Sequence, residues 1–276
     1  VLITGCSTGI GRALVPACRS LGWGVVATAR SLAALEDLPP GEDLVRLALD
    51  VTDPASLARA VQACAGLRLT ALVNNAGYGQ MGPLELLEVE ELRAQFETNV
   101  LGLHAATRAF LPLIRRGAAP GEGRIVHVAS VLGRMSIPMA GAYCASKHAV
   151  VALGEALRLE VSPGIRVLLV EPGAIRSSFR ATLAQAWGDL PRRVLGTPFE
   201  AMVTGYLARE QSRAGLHGLA AEACAQRIAR AMTRVNPPRR LVIGRDARVS
   251  GFAKALLPAG VWEWVVRRAF GMKPIG

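Results

Sequence analysis

Ser130, Tyr143 and Lys147 are the side chains in this sequence whose types and spacing most directly allow proton chemistry. Tyr143 and Lys147 stand four apart in Tyr143-Cys144-Ala145-Ser146-Lys147, which reads as the start of a helix, so one turn brings both onto one face. A free phenol, with a pKa of about 10, is too weak an acid or base for work near neutrality. A neighbouring ammonium, together with the positive charge of an oxidised cofactor, favours phenolate and brings the group into range. Ser130 ends a strand pattern across the same cleft and can hydrogen-bond a substrate oxygen as charge builds on it. Surface helices also carry Tyr-x-x-x-Lys pairs, so this set needs company.

Company comes from the start of the chain. Val1–Thr4 reads as a strand, followed by Thr4-Gly5-Cys6-Ser7-Thr8-Gly9-Ile10-Gly11 and then a helix. Three glycines let the chain turn sharply, let backbone approach a pyrophosphate, and let the helix pack close to the strand. The helix start adds free N–H groups and a positive dipole end. After the second strand, Ala27-Thr28-Ala29-Arg30 lacks the acid that an NAD site places on the ribose hydroxyls and offers Arg30 instead. A guanidinium matches a 2′-phosphate in charge and bidentate geometry, so NADP(H) is favoured and NAD(H) stays open.

The elements that must position these groups alternate along most of the chain. Strand-length apolar runs at Val1–Thr4, Val25–Ala29, Leu44–Leu49, Ala71–Asn74, Arg124–Ala129, Arg166–Glu171 and Leu241–Ile243 are separated by helical patterns. The helices fall near Gly11–Leu21, Pro54–Ala65, Glu88–Arg116, Tyr143–Val161 and Ala220–Arg234. This is the pattern of βαβ units in a parallel sheet covered on both faces, a doubly wound Rossmann-type α/β fold. With no repeat, low-complexity tract or linker, the 276 residues read as one domain, residues 1–171 forming mainly a cofactor-binding core. Residues 172–219 break the alternation with many Gly and Pro and read as a cover over the cleft beyond the strands' carboxyl ends. Residues 220–276 hold a last helix and strand and a basic tail.

Composition narrows the classes. Five cysteines without a Cys-x-x-Cys pair, and four scattered histidines, argue against a disulfide framework or a metal site and suit a reducing cytoplasm. No run reaches the roughly 18 apolar residues of a membrane span. The strand pattern beginning at Val1 leaves a preceding segment open. Of the formal charge of +11, most falls from Arg209 onward, where thirteen Lys/Arg meet four Asp/Glu. That excess reads either as a compositional bias on a solvated face or as a surface for an acidic membrane or partner. No basic-aromatic array accompanies it, so no nucleic-acid partner is expected.

The ordered set Thr4-Gly-x-x-x-Gly-x-Gly11, Asn74-Asn75-Ala76-Gly77, Asn99, Ser130, Tyr143-x-x-x-Lys147 and Pro172-Gly173 resembles the short-chain dehydrogenases/reductases over roughly two-thirds of the chain. The resemblance implies a seven-stranded sheet with a dinucleotide over its carboxyl edge. It implies that Gly5, Ser7, Gly9, Ile10 and Gly11 line the pyrophosphate, Arg30 the ribose phosphate, and Asp50 and Val51 the adenine, with Asn74, Ala76 and Gly77 over the adenosine side. It makes Tyr143 the general acid/base, Lys147 the holder of the nicotinamide ribose and tuner of the phenol, Ser130 the substrate orienter and Asn99 the anchor of a relay water. Pro172, Gly173 and Ile175 would border the nicotinamide. Ser177 replaces the family's usual Thr near the carboxamide, after Arg176. Thr8 stands where some NADP enzymes carry a basic residue, leaving discrimination to Arg30.

Tyr78, Met81, Val131-Leu132-Gly133, Met135, Ile137-Pro138-Met139 and the Phe179–Leu195 stretch are mostly apolar, so a small hydrophobic ketone, aldehyde or alcohol is expected, although core packing explains many of them too. The Asn74–Leu84 block and Glu171-Pro-Gly-Ala-Ile resemble the branch with hydroxysteroid and retinol dehydrogenases. A homodimer or homotetramer in the cytoplasm is expected. The tail Val261–Phe270, with two tryptophans and paired arginines, either packs on the domain or a second subunit or lies on a membrane interface. The alternative to an enzyme is a cofactor-binding sensor or scaffold without turnover, which would be expected to have lost one of Asn99, Ser130, Tyr143 and Lys147.

Overall fold

The computed structural model describes residues 1–161, 164–176, 187–212 and 218–272. Its frame is a seven-stranded sheet of β1 (Leu2–Ile3), β2 (Val25–Ala29), β3 (Leu44–Ala48), β4 (Ala71–Asn74), β5 (Gly123–Val128), β6 (Ile165–Pro172) and β9 (Arg240–Ile243), in the order β3-β2-β1-β4-β5-β6-β9. Every pairing is parallel. A parallel neighbour needs a crossover, and α1 (Gly9–Arg19), α2 (Pro54–Ala63), α4 (Leu103–Gly117), α5 (Gly141–Glu160) and α7 (Ala221–Met232) provide them. Strand order reverses between β1 and β4, which opens a crevice at their carboxyl ends.

Side-chain alternation divides the core into two layers. Ile3, Val73, Val126 and Leu168 pack with Leu14 of α1 and Ile228 of α7. Their neighbours Leu2, Leu72, Ile125 and Val167 face the other way, onto Leu57 of α2 and Phe110 of α4. The strands are apolar on both faces for that reason, which is why they read as continuous apolar runs. At the start of α2, Asp53 accepts the Ala55 N–H at 2.9 Å and Pro54 occupies the first turn, as the sequence anticipates.

The expected single helix over Glu88–Arg116 is interrupted. α3 (Val89–Phe96) gives way to a π-helical turn at Glu97–Gly102 before α4 begins. A π turn inserts a residue into the helical ring and redirects the side chains within it, and such turns gather at functional sites. Here it carries Asn99. The chain after β6 forms a small ladder, β7 (Ile175–Arg176) with β8 (Leu219–Ala220), and a helix α6 (Glu200–Ser212). Past β9 lie α8 (Arg245–Leu256), which has no counterpart in the sequence reading, and α9 (Ala259–Ala269), which spans most of the amphipathic tail. Among the described residues, no helix is long and apolar enough to cross a membrane, and all five cysteines are free and buried.

Candidate active site

One cleft of about 560 Å³ runs over the carboxyl ends of the strands. It gathers Gly5, Ser7, Gly9 and Ile10 from the first loop, Arg30 from the end of β2, Asp50 and Val51 after β3, and Ala76 and Gly77 after β4. Ser130, Tyr143, Lys147, Pro172, Gly173 and Ile175 complete it. Ser177 lies outside the described residues, as do His217 and most of the first half of the Phe179–Leu195 stretch.

The glycine loop is shaped by close approach. Gly5 has φ +73°, and a Cβ there would lie 2.8 Å from the Ala76 Cα. Gly11 stands behind the loop and does not line the cleft. A Cβ on it would come within 2.2 Å of the Gly5 carbonyl oxygen and 2.3 Å of Asn75 Nδ2, so glycine here lets α1 seat against the turn. Asn75, which the candidate set leaves out, staples this loop to β4: its Nδ2 donates to the Thr4 and Gly5 carbonyls at 2.9 and 3.0 Å. Thr4 Oγ1 in turn accepts the Asn75 and Ala76 N–H groups at 2.9 Å each. The signal in the sequence was the doubled asparagine, in which the second residue carries the contact.

Asn74 itself turns inward. Its Nδ2 donates to Thr107 Oγ1 at 2.8 Å and lies 3.1 Å from His127 Nδ1, while its buried Oδ1 has no hydrogen-bond partner among the described residues. Desolvation lowers the His127 pKa to about 3, so this ring is a neutral member of the core. Asn99 is also out of the cleft wall, directly behind Gly77: a Cβ at Gly77 would meet Asn99 Oδ1 at 2.8 Å.

Tyr143 and Lys147 share the cleft face of α5, with Nζ 5.7 Å from the ring centroid. The Lys147 ammonium donates to the Val128 carbonyl at 2.9 Å, and burial lowers its pKa to about 8. Burial pushes the Tyr143 phenol up to about 12, against the hydrogen bond with Ser130, which acts to lower it. In the protein alone desolvation therefore wins, and the lowered phenol anticipated from the sequence is not present without the added cationic charge of a bound cofactor. Ser130 Oγ also accepts the Leu132 N–H at 3.1 Å, which fixes the turn that follows β5.

An apolar cluster packs against Ala140 and Cys144, the neighbours of Tyr143 on and before α5. Met81, Met139, Trp187, Leu190 and Val194 form one buried cluster with Leu132 and Ile137 packed against it. Arg193 holds this part of the 172–219 segment to α3, with its guanidinium 2.7 Å from Glu91 and donating to the Leu86 carbonyl at 2.8 Å.

The cleft fits an elongated dinucleotide on its own terms. Gly5, Gly77 and Gly173 leave the floor as bare backbone packed close on its support, since a Cβ there would meet Ala76 Cα at 2.8 Å, Asn99 Oδ1 at 2.8 Å and the Asp246 carboxylate at 2.2 Å. The start of α1 has no side-chain cap, leaving backbone N–H donors to a phosphate. Arg30, at the rim, has no side-chain partner among the described residues. Among those residues, no group of three or more His, Cys, Asp or Glu could hold a metal ion.

Known proteins agree with this architecture. The family model for short chain dehydrogenases matches residues 1–187. Human retinol dehydrogenase 5 is 32% identical over 286 residues, covering 96% of this chain and 87% of that protein. Mouse 17-beta-hydroxysteroid dehydrogenase type 1 is 42% identical over 207 residues, covering 70% and 59%. A short-chain dehydrogenase structure from Streptomyces avermitilis superposes with a TM-score of 0.74 at 33% identity, covering 97% and 98%. Solved chains that share the fold at 24% identity are described in complex with NADP in one case and NAD in another. The chain belongs to the short-chain dehydrogenase family and is an oxidoreductase of the dehydrogenase/reductase type.

Proposed function

We propose that this protein interconverts a carbonyl and a primary or secondary alcohol on a hydrophobic, steroid-, retinoid- or lipid-like substrate, with NADP(H) as the cofactor and Tyr143 as the acid/base. The observation that carries the reading is the convergence of Ser130, Tyr143 and Lys147 on the cleft that the glycine loop opens. When bound, the nicotinamide supplies or accepts the hydride.

The chain's own residues do the rest. Tyr143 gives a proton to the substrate oxygen during reduction and takes it back during oxidation; a phenol pushed up to about 12 is protonated at neutral pH and suits the acid role. Ser130, already hydrogen-bonded with that phenol, orients the same oxygen and stabilises charge on it. Lys147, anchored on the Val128 carbonyl, would hold the cofactor's ribose with its remaining N–H donors and lends positive charge beside the phenol. Gly5, Ser7, Gly9 and Ile10 would hold the pyrophosphate, Asp50, Val51, Ala76 and Gly77 the adenosine half, and Pro172, Gly173 and Ile175 the nicotinamide end. Arg30 supports the preference for NADP(H) by offering the cleft a guanidinium that has no side-chain partner among the described residues. The retinol and hydroxysteroid dehydrogenases among the relatives support a hydrophobic substrate body. The same reading carries a homodimer or homotetramer, which sedimentation velocity resolves.

Tyr143→Phe is the direct test. Turnover, followed by nicotinamide absorbance across steroid, retinoid and medium-chain carbonyl substrates, should vanish while cofactor binding by fluorescence stays nearly intact. Full activity in that variant removes Tyr143 from the chemistry.

A further inference from the structure

The outer edge of the sheet carries a feature that the reaction does not use. Between α7, β9 and the start of α8 lies a groove of about 430 Å³ walled by Arg227, Arg230, Arg234, Arg245 and Arg248 over Leu241 and Val242. None of these five guanidinium groups has an ion-pair or hydrogen-bond partner among the described residues. Asp246, which follows Arg245 in the chain, is turned to the cleft rim, where it accepts the Ala174 N–H at 2.7 Å. Five like charges lining one groove repel one another, and an anionic surface from outside complements them.

The same helix continues the face with apolar side chains. Arg245, Arg248, Val249, Phe252 and Leu256 recur at helical spacing within about 100° of arc, opposite the buried Ala247. Val249 and Phe252 are each 69% exposed and Leu256 is 65% exposed. α9 repeats the arrangement: Val261, Trp264, Val265 and Arg268 share one exposed stripe, with Trp264 54% exposed and Arg268 stacked over its ring. The opposite side of α9 buries Trp262 against Val131, Met135 and Ala247, so the helix is docked on the turn that follows Ser130.

We propose that this face docks on a phospholipid surface bearing anionic headgroups, with the arginine groove taking the headgroup charge and the Val249-Phe252-Leu256 and Val261-Trp264-Val265 stripes entering the acyl boundary. Charge complementarity selects an anionic surface, and the exposed aliphatic and aromatic stripes select lipid over a soluble polyanion. Through Trp262 the docked helices abut the turn bordering the substrate side of the cleft. The proposal stands apart from the catalytic reading, because none of these side chains lines the cleft.

Vesicle sedimentation tests it, using phosphatidylcholine alone and phosphatidylcholine mixed with phosphatidylserine. The protein should pellet with the mixed vesicles and not the neutral ones, and salt should weaken binding. The Arg245→Glu/Arg248→Glu pair should weaken it more than tenfold, each charge near such a surface contributing roughly fivefold. The Phe252→Ser/Trp264→Ser pair should weaken it comparably, with turnover of a water-soluble substrate unchanged in both pairs as the control for folding. Failure to pellet with the mixed vesicles at low salt overturns the proposal. So does binding that survives Phe252→Ser/Trp264→Ser, since arginines alone then meet any polyanion. A dimer in sedimentation velocity that Phe252→Ser/Trp264→Ser splits, without vesicle binding by the native protein, makes a second copy the occupant and also overturns it.

Discussion

Asn99 grips the backbone of Tyr78 from both sides, its Oδ1 accepting the Tyr78 N–H at 3.0 Å and its Nδ2 donating to the Tyr78 carbonyl at 2.9 Å. The remaining Nδ2 hydrogen reaches Ser146 Oγ at 3.0 Å, so one buried amide ties the loop after β4 to the helix that carries Tyr143 and Lys147. Its place in the π turn aims the side chain inward at that junction.

Asn99→Ala removes the acceptor of the Tyr78 N–H, at a cost of roughly 1–3 kcal/mol, while the Tyr78 carbonyl keeps the Gln95 Nε2 donor at 2.9 Å. The midpoint of chemical denaturation should fall accordingly. Turnover should drop by on the order of tenfold or more, because the loop and α5 lose their common reference. Unchanged stability and turnover would mean that the Tyr78 contacts do not position the site.

Arg30 stands at the cleft rim with its guanidinium unpaired among the described residues. Arg30→Ala should weaken NADPH binding by roughly 10- to 100-fold, the effect of losing charge-assisted hydrogen bonds, while leaving NADH affinity nearly unchanged. Calorimetric titration with both cofactors reads this directly. Equal loss for the two would assign Arg30 to the pyrophosphate or to folding instead.

Burial lowers the Lys147 pKa from 10.5 to about 8. Between those values the unfolded chain holds a proton that the folded chain has released, so this residue's contribution to stability rises with pH across that window, by at most about 1.4 kcal/mol per unit. The buried thiols Cys6, Cys18 and Cys224, raised to about 12, 11 and 12, push the other way, since their protons are kept in the folded state and lost in the unfolded one. Comparison with Lys147→Met cancels the thiols. The stability of the native protein relative to that variant should climb from pH 8 to 10.5, and a flat difference in urea denaturation would refute the buried-ammonium account.

Much of the frame was legible because its physics is local. The apolar runs at Val25–Ala29 and Ala71–Asn74 match β2 and β4 residue for residue, and Pro54 after Asp53 marks the start of α2. The π turn was hidden, since Glu88–Arg116 keeps an unbroken helical pattern and the extra residue is imposed by what Asn99 must reach. Helix α8 was hidden for another reason: its exposed stripe is apolar and its buried side holds little more than Ala247, so no ordinary amphipathic pattern marks it.

The sequence by itself determined the order of strands and crossovers, the glycine turn, and the spacing that puts Tyr143 and Lys147 on one face, because each follows from backbone sterics and helical period within a few residues. Tertiary structure alone decided that Asn75 and not Asn74 faces the loop, that Gly11 serves packing, and that the phenol is pushed up to about 12 in the protein alone. Those outcomes depend on which groups from distant segments exclude water or compete for one hydrogen bond, and that is fixed only when the chain has closed on itself.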